Sequence, residues 1–149
     1  MVLRFLAFRM TAPADYRRGD LDAFLRQAME RINTLSLQEI EELSEEFVRA
    51  MNAAATIFGE NAFRKQFSGQ DRRLPVNKAL FESISVNLAK SSPPEIAILI
   101  ERRDKVQTAF IDLMEDGRFL QTISGGTGDV VKVRDRFAAI EVLLKEVAR

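Results

Sequence analysis

The sequence contains no cysteine, no histidine and no tryptophan. Without cysteine the chain forms neither disulfides nor thiolate centres, which fits a reducing cytoplasm. Without histidine it lacks the commonest general base at neutral pH and the commonest transition-metal ligand. A Ser–His–Asp triad, an ordinary zinc site and an HNH-type nuclease centre are therefore excluded within this chain, whereas carboxylate-only Mg²⁺ chemistry remains allowed. We expect no cofactor and no recognisable catalytic constellation.

An excess of either charge is also missing, because 22 Lys and Arg balance 22 Asp and Glu. No global field draws nucleic acid or anionic membrane to the chain, so such binding would need a local patch. The apolar N-terminal stretch is interrupted by Arg4 and Arg9, and it is too short for a membrane span or a secretory signal. At 149 residues, 46% hydrophobic and 30% charged, the sequence predicts one globular domain over 1–149 that binds no membrane.

Helical periodicity dominates the sequence, and strand patterns are nearly absent. The fold class that this predicts is all-α, an orthogonal or irregular bundle of about six or seven helices. Asp20, Ser36 and Asn77 are residues that favour helix N-caps, Ser36 with Glu39 as a capping box. The predicted helices cover Val2–Met10, a segment after Asp20, a segment from Ser36 to Gly59, Glu60–Gln66, a segment after Asn77, a long helix from Ser92 to Glu115, and one from Asp129 to the C-terminus, with a short segment Phe119–Ile123 before the last.

A glycine-rich loop from Ser124 to Asp129 precedes the last predicted helix. Backbone N–H groups of such a loop bind anions, which makes it a candidate phosphate site. The alternative is an interhelix turn in which Thr127 or Asp129 caps the helix. We favour the turn, because the loop lacks the Gly-Lys-Ser/Thr ending of a Walker A motif and no strand leads into it. The candidate phosphate-binding residues are Gly126, Thr127, Gly128, Lys132 and Arg134.

The segment between Glu60 and Lys78 holds five basic and two acidic residues, the densest basic stretch of the chain. Arginines there could hold phosphates, and Asn77 could contact a base edge. A solvated loop, or salt bridges to the glutamates of the third predicted helix, explains the same charges. The candidate nucleic-acid-binding residues are Arg64, Lys65, Arg72, Arg73, Asn77 and Lys78.

Five glutamates on the third predicted helix raise the question of a metal site. No second carboxylate helix of matching pattern exists, so we interpret them as a polar helix surface and predict no metal. They are Glu39, Glu41, Glu42, Glu45 and Glu46.

Four blocks of the sequence, in their order, resemble the C-terminal helical portion of bacterial proteins that carry a GmrSD-type N-terminal domain. The resemblance covers nearly the whole chain. The blocks are Val2–Ala7, Ile57–Gly59 with Ala62–Arg64, Arg73–Glu82, and Ser124–Gly128 with Val133, Arg134, Arg136 and Phe137.

In that family the upstream ParB/sulfiredoxin-like domain is linked to nucleotide-dependent restriction of modified phage DNA. This chain holds neither that domain nor an HNH domain, so no catalytic residue carries over, and the segment Gly69–Arg73 echoes the upstream motif in the wrong order. If the resemblance holds, Met1 is an internal start, and the first helix has lost packing partners.

Three functions follow as hypotheses. The first is a non-catalytic helical module of a GmrSD-like restriction or phage-defence protein, serving DNA engagement or domain and subunit contacts. Its partners would be DNA, or an N-terminal ParB-like domain or subunit. The second is a structural bundle that forms homo-oligomers, and the third is a nucleotide-binding enzyme that uses the loop from Ser124 to Asp129.

Overall fold

The computed structural model describes residues 1–70 and 72–149. These residues form eight α-helices and two short 3₁₀ turns, and their only strand-like pairing is an isolated bridge between Arg64 and Val76. The prediction of an all-α bundle is confirmed. The helices are α1 (Val2–Met10), α2 (Leu21–Ile32), α3 (Leu37–Phe58), α4 (Lys78–Lys90), α5 (Pro93–Glu101), α6 (Arg103–Glu115), α7 (Gly117–Thr122) and α8 (Val130–Ala148).

The helix starts follow from local chemistry. A side-chain oxygen that accepts a bond from a free N–H of the first turn lowers the cost of starting a helix. Ser36 and Ser92 both form full capping boxes, with Glu39 and Glu95 respectively. The other side-chain caps accept as follows: Asp20 from Ala23, Asn77 from Ala79 and Leu80, Asp116 from Arg118, and Asp129 from Lys132.

Helix α4 forms the centre of the bundle, and α1, α3 and α8 pack around it. Every residue from Ala79 to Ala89 is buried, so this helix is enclosed on all sides. Its buried apolar side chains include Leu80, Phe81, Ile84 and Leu88. None of the eight helices in the described chain combines the length and the apolar character that a bilayer crossing requires.

The long helix predicted from Ser92 to Glu115 is wrong as a single element, because the chain turns at Arg102. This residue has φ −95° and ψ 24°, and its guanidinium donates to the carbonyl of Val147 at 2.7 Å. The turn lets both α5 and α6 pack against α8. No glycine or proline stands at the break, so tertiary contacts set it.

The helix predicted over Glu60–Gln66 is also wrong. Only a 3₁₀ turn forms at Gly59–Asn61, and Phe63 takes a positive φ of 61°, which no continuing helix allows. The Phe63 ring lies edge-on to Phe81, with 5.0 Å between centroids. Core packing thus overrides the local helical pattern. The following loop contains Asp71, which belongs to the Gly69–Arg73 echo and lies outside the described residues.

Candidate functional site

Four of the six candidate nucleic-acid residues are engaged within the protein. Arg64 donates to the carbonyls of Glu60 and Leu74, and Arg73 pairs with Glu60 at 3.0 Å. Asn77 caps α4 with its oxygen and donates its Nδ2 to the carbonyl of Ile123 at 2.9 Å. A contact between Asn77 and a base would therefore break both its cap bonds to α4 and its bond to Ile123. The glutamates of α3 do not pair with this segment in the described chain, so the alternative of salt bridges to the third helix is wrong, and Arg73 pairs with Glu60 instead.

Lys65 is the fourth engaged residue, so only the side chains of Arg72 and Lys78 form no hydrogen bond or ion pair in the described chain. Arg72 and Lys78 are exposed, and neither has an ion-pair partner within residues 1–70 and 72–149. Lys65 donates from Nζ to the Ser124 hydroxyl at 2.8 Å. This bond and the one from Asn77 to Ile123 join the basic segment to the glycine-rich loop. The two candidate sites that the sequence keeps apart therefore meet at one surface, which we call the basic surface: Lys65, Lys78, Ser124 and Lys132.

Side chains that donate hydrogen bonds to its backbone carbonyls hold the glycine-rich loop in place. Lys132 Nζ donates to Gly125 at 2.6 Å, Arg136 donates to Thr127 at 2.8 Å, and the Tyr16 hydroxyl donates to Gly128 at 2.6 Å. Gly126 has a φ of 56°, a left-handed conformation that glycine adopts without strain. These contacts support the interpretation as an interhelix turn capped by Asp129. Phosphate binding stays a prediction, and Arg134 donates to the carbonyl of Ala14 at 3.0 Å instead of to the loop.

A buried ionic cluster lies behind this loop. The Glu82 carboxylate of α4 accepts from Arg4 of α1 at 2.9 Å and from Arg136 of α8. Glu82 and Arg136 are fully buried, and the Arg4 side chain is 17% exposed. Burial raises the pKa of Glu82 and lowers that of Arg136, because desolvation disfavours both charged forms. The attraction between Glu82 and Arg136 opposes both pKa shifts.

Perturbed ionisable groups often mark active sites, but this cluster lacks access for a substrate. Its carboxylate and its inner guanidinium have no exposed surface, and neither lines a described cavity. Its geometry instead ties three helices and the loop carbonyl of Thr127 together. We conclude that the cluster is structural. In the described chain no three carboxylates come together as a set that could hold a metal ion.

An apolar groove lies between α1, the end of α2 and the first half of α3. Its volume is about 180 Å³. Leu37 next to it is 80% exposed, Ile40 in its wall is 42% exposed, and Val2 at its mouth is 51% exposed. Seven of its eight lining residues are apolar: Val2, Leu6, Ile32, Leu35, Ile40, Leu43 and Phe47, with Ser44 as the eighth.

The chain was also compared with known proteins. No protein-family model, no curated protein and no solved structure matches it. The resemblance to GmrSD-type proteins therefore has no support beyond the sequence blocks that suggested it.

The groove and the basic surface lie far apart. Helix α3 has 22 residues, and at 1.5 Å per residue it is about 33 Å long. The groove uses its N-terminal half, whereas Glu60 and the basic segment follow its C-terminal end. Between Ser36 and Val48 the chain has five glutamates and no basic residue. The α3 wall of the groove is thus acidic, whereas the C-terminal end of α3 leads into the basic segment.

Sequence reasoning missed two further concavities. One is a cleft of about 400 Å³ at the junction of α1 and α2, where Arg17, Arg18 and Arg31 lie among its lining residues. The other is a shallow groove between α3 and α5 that includes Val48, Ile96 and Ile100. The cleft has a weak sequence signal, the Arg17-Arg18 pair in a loop. The two grooves have no sequence signal, since the pattern of apolar residues does not tell which helix face a neighbouring helix covers.

Proposed function

We propose that this chain is a non-catalytic helical interaction module, in which the apolar groove between α1, α2 and α3 receives a side chain of another domain or subunit. The larger protein would be a GmrSD-like restriction or phage-defence protein, as the sequence resemblance implies. The observation that carries the interaction role is the groove with Leu37 and Ile40 left exposed beside it. Contiguous exposed apolar surface in a folded domain marks an interaction site.

A partner at this position would be stabilised by covering the exposed apolar side chains. Fully burying an exposed Leu or Ile stabilises a complex by about 1.5–3 kcal/mol. Burial of Leu37, Ile40 and Val2 in an interface would therefore contribute several kcal/mol to the binding free energy. Association costs about 4–15 kcal/mol in lost freedom, so these residues would act as anchors within a wider interface.

A selection from an unbiased library of helical peptides tests this role. Ile40→Asp places a charge in the groove wall at a partly exposed position, so the fold should tolerate it. Val142→Asp on α8 is the matched control, because Val142 is 53% exposed and lies outside the groove. We expect peptides that bind the wild type and Val142→Asp but lose at least tenfold in affinity for Ile40→Asp. Recovered peptides that bind all three proteins equally would contradict the proposal.

DNA engagement is a second candidate, and one observation favours it. The bond from Lys65 to Ser124 brings the basic segment and the glycine-rich loop together, and Arg72 and Lys78 of the same segment are exposed. Phosphate contacts make DNA binding salt-dependent, because binding releases counterions. We expect binding of a random duplex at low salt to weaken in an Arg72→Ala, Arg73→Ala, Lys78→Ala variant. Absence of binding by the wild-type chain at low salt would remove this candidate and leave the groove.

A further inference from the structure

The geometry points to a basic amphipathic helix as the occupant of the apolar groove: one large apolar side chain fills the groove, and Lys or Arg residues lie against Glu41 and Glu45 of α3. This inference rests on the proposed function and adds the chemistry of the partner.

The size of the groove fits a single large anchor. A cavity of about 150 Å³ lined by aliphatic and aromatic side chains admits benzene. The groove measures about 180 Å³ and is lined almost wholly by such side chains, among them Leu6, Ile32 and Phe47. It therefore holds one side chain of the size of Leu or Phe, and not a polar group, which would find too few hydrogen-bond partners there.

The shape of the surface fits a helix. Ser44 lines both the apolar groove and the shallow groove between α3 and α5, so α3 forms a low ridge between two concavities. A small residue at the ridge lets another backbone approach closely. A helix that crosses α3 at Ser44 places side chains one turn apart into the two grooves, as ridges pack into grooves between helices. In the described chain no strand offers an edge to an extended peptide.

The charges around the groove select a basic partner. Glu41 and Glu45 lie one helical turn apart and are exposed, and neither has an ion-pair partner among the described residues. The cations nearest the groove are already engaged: Arg4 by Glu82, and Arg9 by Glu46 at 2.7 Å. On α2, Arg31 donates to the carbonyl of Met10, a neutral acceptor that leaves its charge in place, so the basic residues of the partner belong on the α3 side of the groove. The side of the groove formed by α3 therefore presents net negative charge, which repels an anionic membrane as well as an acidic peptide.

Two designed peptides test the inference. Both are amphipathic helices of about 20 residues with the same leucine face. One carries Lys at the flanking positions, and the other carries Glu there. Fluorescence anisotropy measures their affinities for four proteins at low and high salt: the wild type, Glu41→Gln with Glu45→Gln, Ile40→Asp, and Glu141→Gln with Glu146→Gln. The last is a charge control, because Glu141 and Glu146 are exposed on α8.

We expect the Lys peptide to bind the wild type about tenfold more tightly than the Glu peptide at low salt, as two surface ion pairs allow. High salt and the Glu41→Gln, Glu45→Gln variant should remove that preference, and the α8 control should keep it. Ile40→Asp should abolish the binding of both peptides. Equal binding of the two peptides that still depends on Ile40 would overturn the inference about charge and leave the proposed function standing. Absence of Ile40-dependent binding would overturn the inference as well, and the unbiased peptide selection would then decide on the proposed function.

Discussion

The buried contact between Glu82 and Arg136 should be the most sensitive ionic element of the fold. Both side chains are fully buried, and Glu82 also accepts from Arg4 at 2.9 Å. Glu82→Gln keeps the size of the side chain but removes the charge that balances two guanidinium groups. Arg136 would retain only carbonyl acceptors, Thr127 at 2.8 Å and Thr122 at 3.4 Å. Breaking a buried pair in this way costs about 3–5 kcal/mol, because a charge stays buried without compensation.

Urea denaturation followed by circular dichroism measures this loss. Thermal denaturation provides a second measure. For a chain of this size the melting temperature falls by about 2–4 °C per kcal/mol, so Glu82→Gln should melt about 6–20 °C lower. Glu141→Gln is the control: it removes a glutamate that forms an exposed ion pair with Lys145, and its effect should stay within about 0.5 kcal/mol. The denaturant dependence should be unchanged, which shows that stability and not compactness has altered. A Glu82→Gln loss below about 1 kcal/mol would refute the reasoning.

A double variant separates the charge from the packing. Glu82→Leu with Arg136→Met replaces both buried charges by apolar side chains of similar length. Substitution of a buried ion pair by apolar residues is often neutral, so this variant should be more stable than Glu82→Gln. If it were equally unstable, the hydrogen bonds from Arg136 to the loop carbonyls, and not the charge balance, would dominate.

Three further predictions concern local structure. Gly59→Ala should cost roughly 1–3 kcal/mol in urea denaturation, because Gly59 has a φ of 55° and a ψ of −135°, and a Cβ there would meet no other atom that could add to the cost; a loss no larger than that of Gly117→Ala, where φ is not positive, would contradict this. Ser36→Ala should cost about 0.5–2 kcal/mol, since it removes the cap of α3; an unchanged denaturation midpoint would argue against the capping box. Hydrogen bonds from the backbone N–H and hydroxyl of Ser36 hold the pKa of Glu39 below its usual range. The contribution of this carboxylate to stability is therefore present above the ordinary carboxyl pKa and is lost as the pH falls through the lowered value; an ordinary pKa in an NMR titration would contradict the assignment.

The sequence predicts those parts of the fold that local chemistry determines. Asp20, Ser36 and Asn77 cap helices as expected, because a cap involves residues only two or three positions apart. The break at Arg102 depends on the end of α8, some 45 positions later in the chain. The positive φ of Phe63 accompanies its packing against Phe81. Neither contact leaves a local pattern that sequence reasoning could find.

The candidate sites divide in the same way. The sequence locates the basic residues, but it does not show that Asn77 is engaged by Ile123 or that Lys65 reaches Ser124. Leu37, Ile40 and Leu43 follow one another at intervals of three residues and give α3 an apolar face, yet this spacing cannot tell whether a neighbour covers that face. Glu82 had a usable signal, as a lone carboxylate among the apolar positions of α4. Its partner Arg136, 54 positions away, had none.

We propose that this module contacts its partner through the apolar groove, and not through the basic surface. The most direct measurement is an NMR titration of the ¹⁵N-labelled chain with a peptide from the unbiased helical library. We predict that the perturbed amides form one contiguous surface on α1, the end of α2 and the first half of α3, centred on Ile40. Perturbations centred on Lys65 and Ser124, about one length of α3 away, would contradict the account.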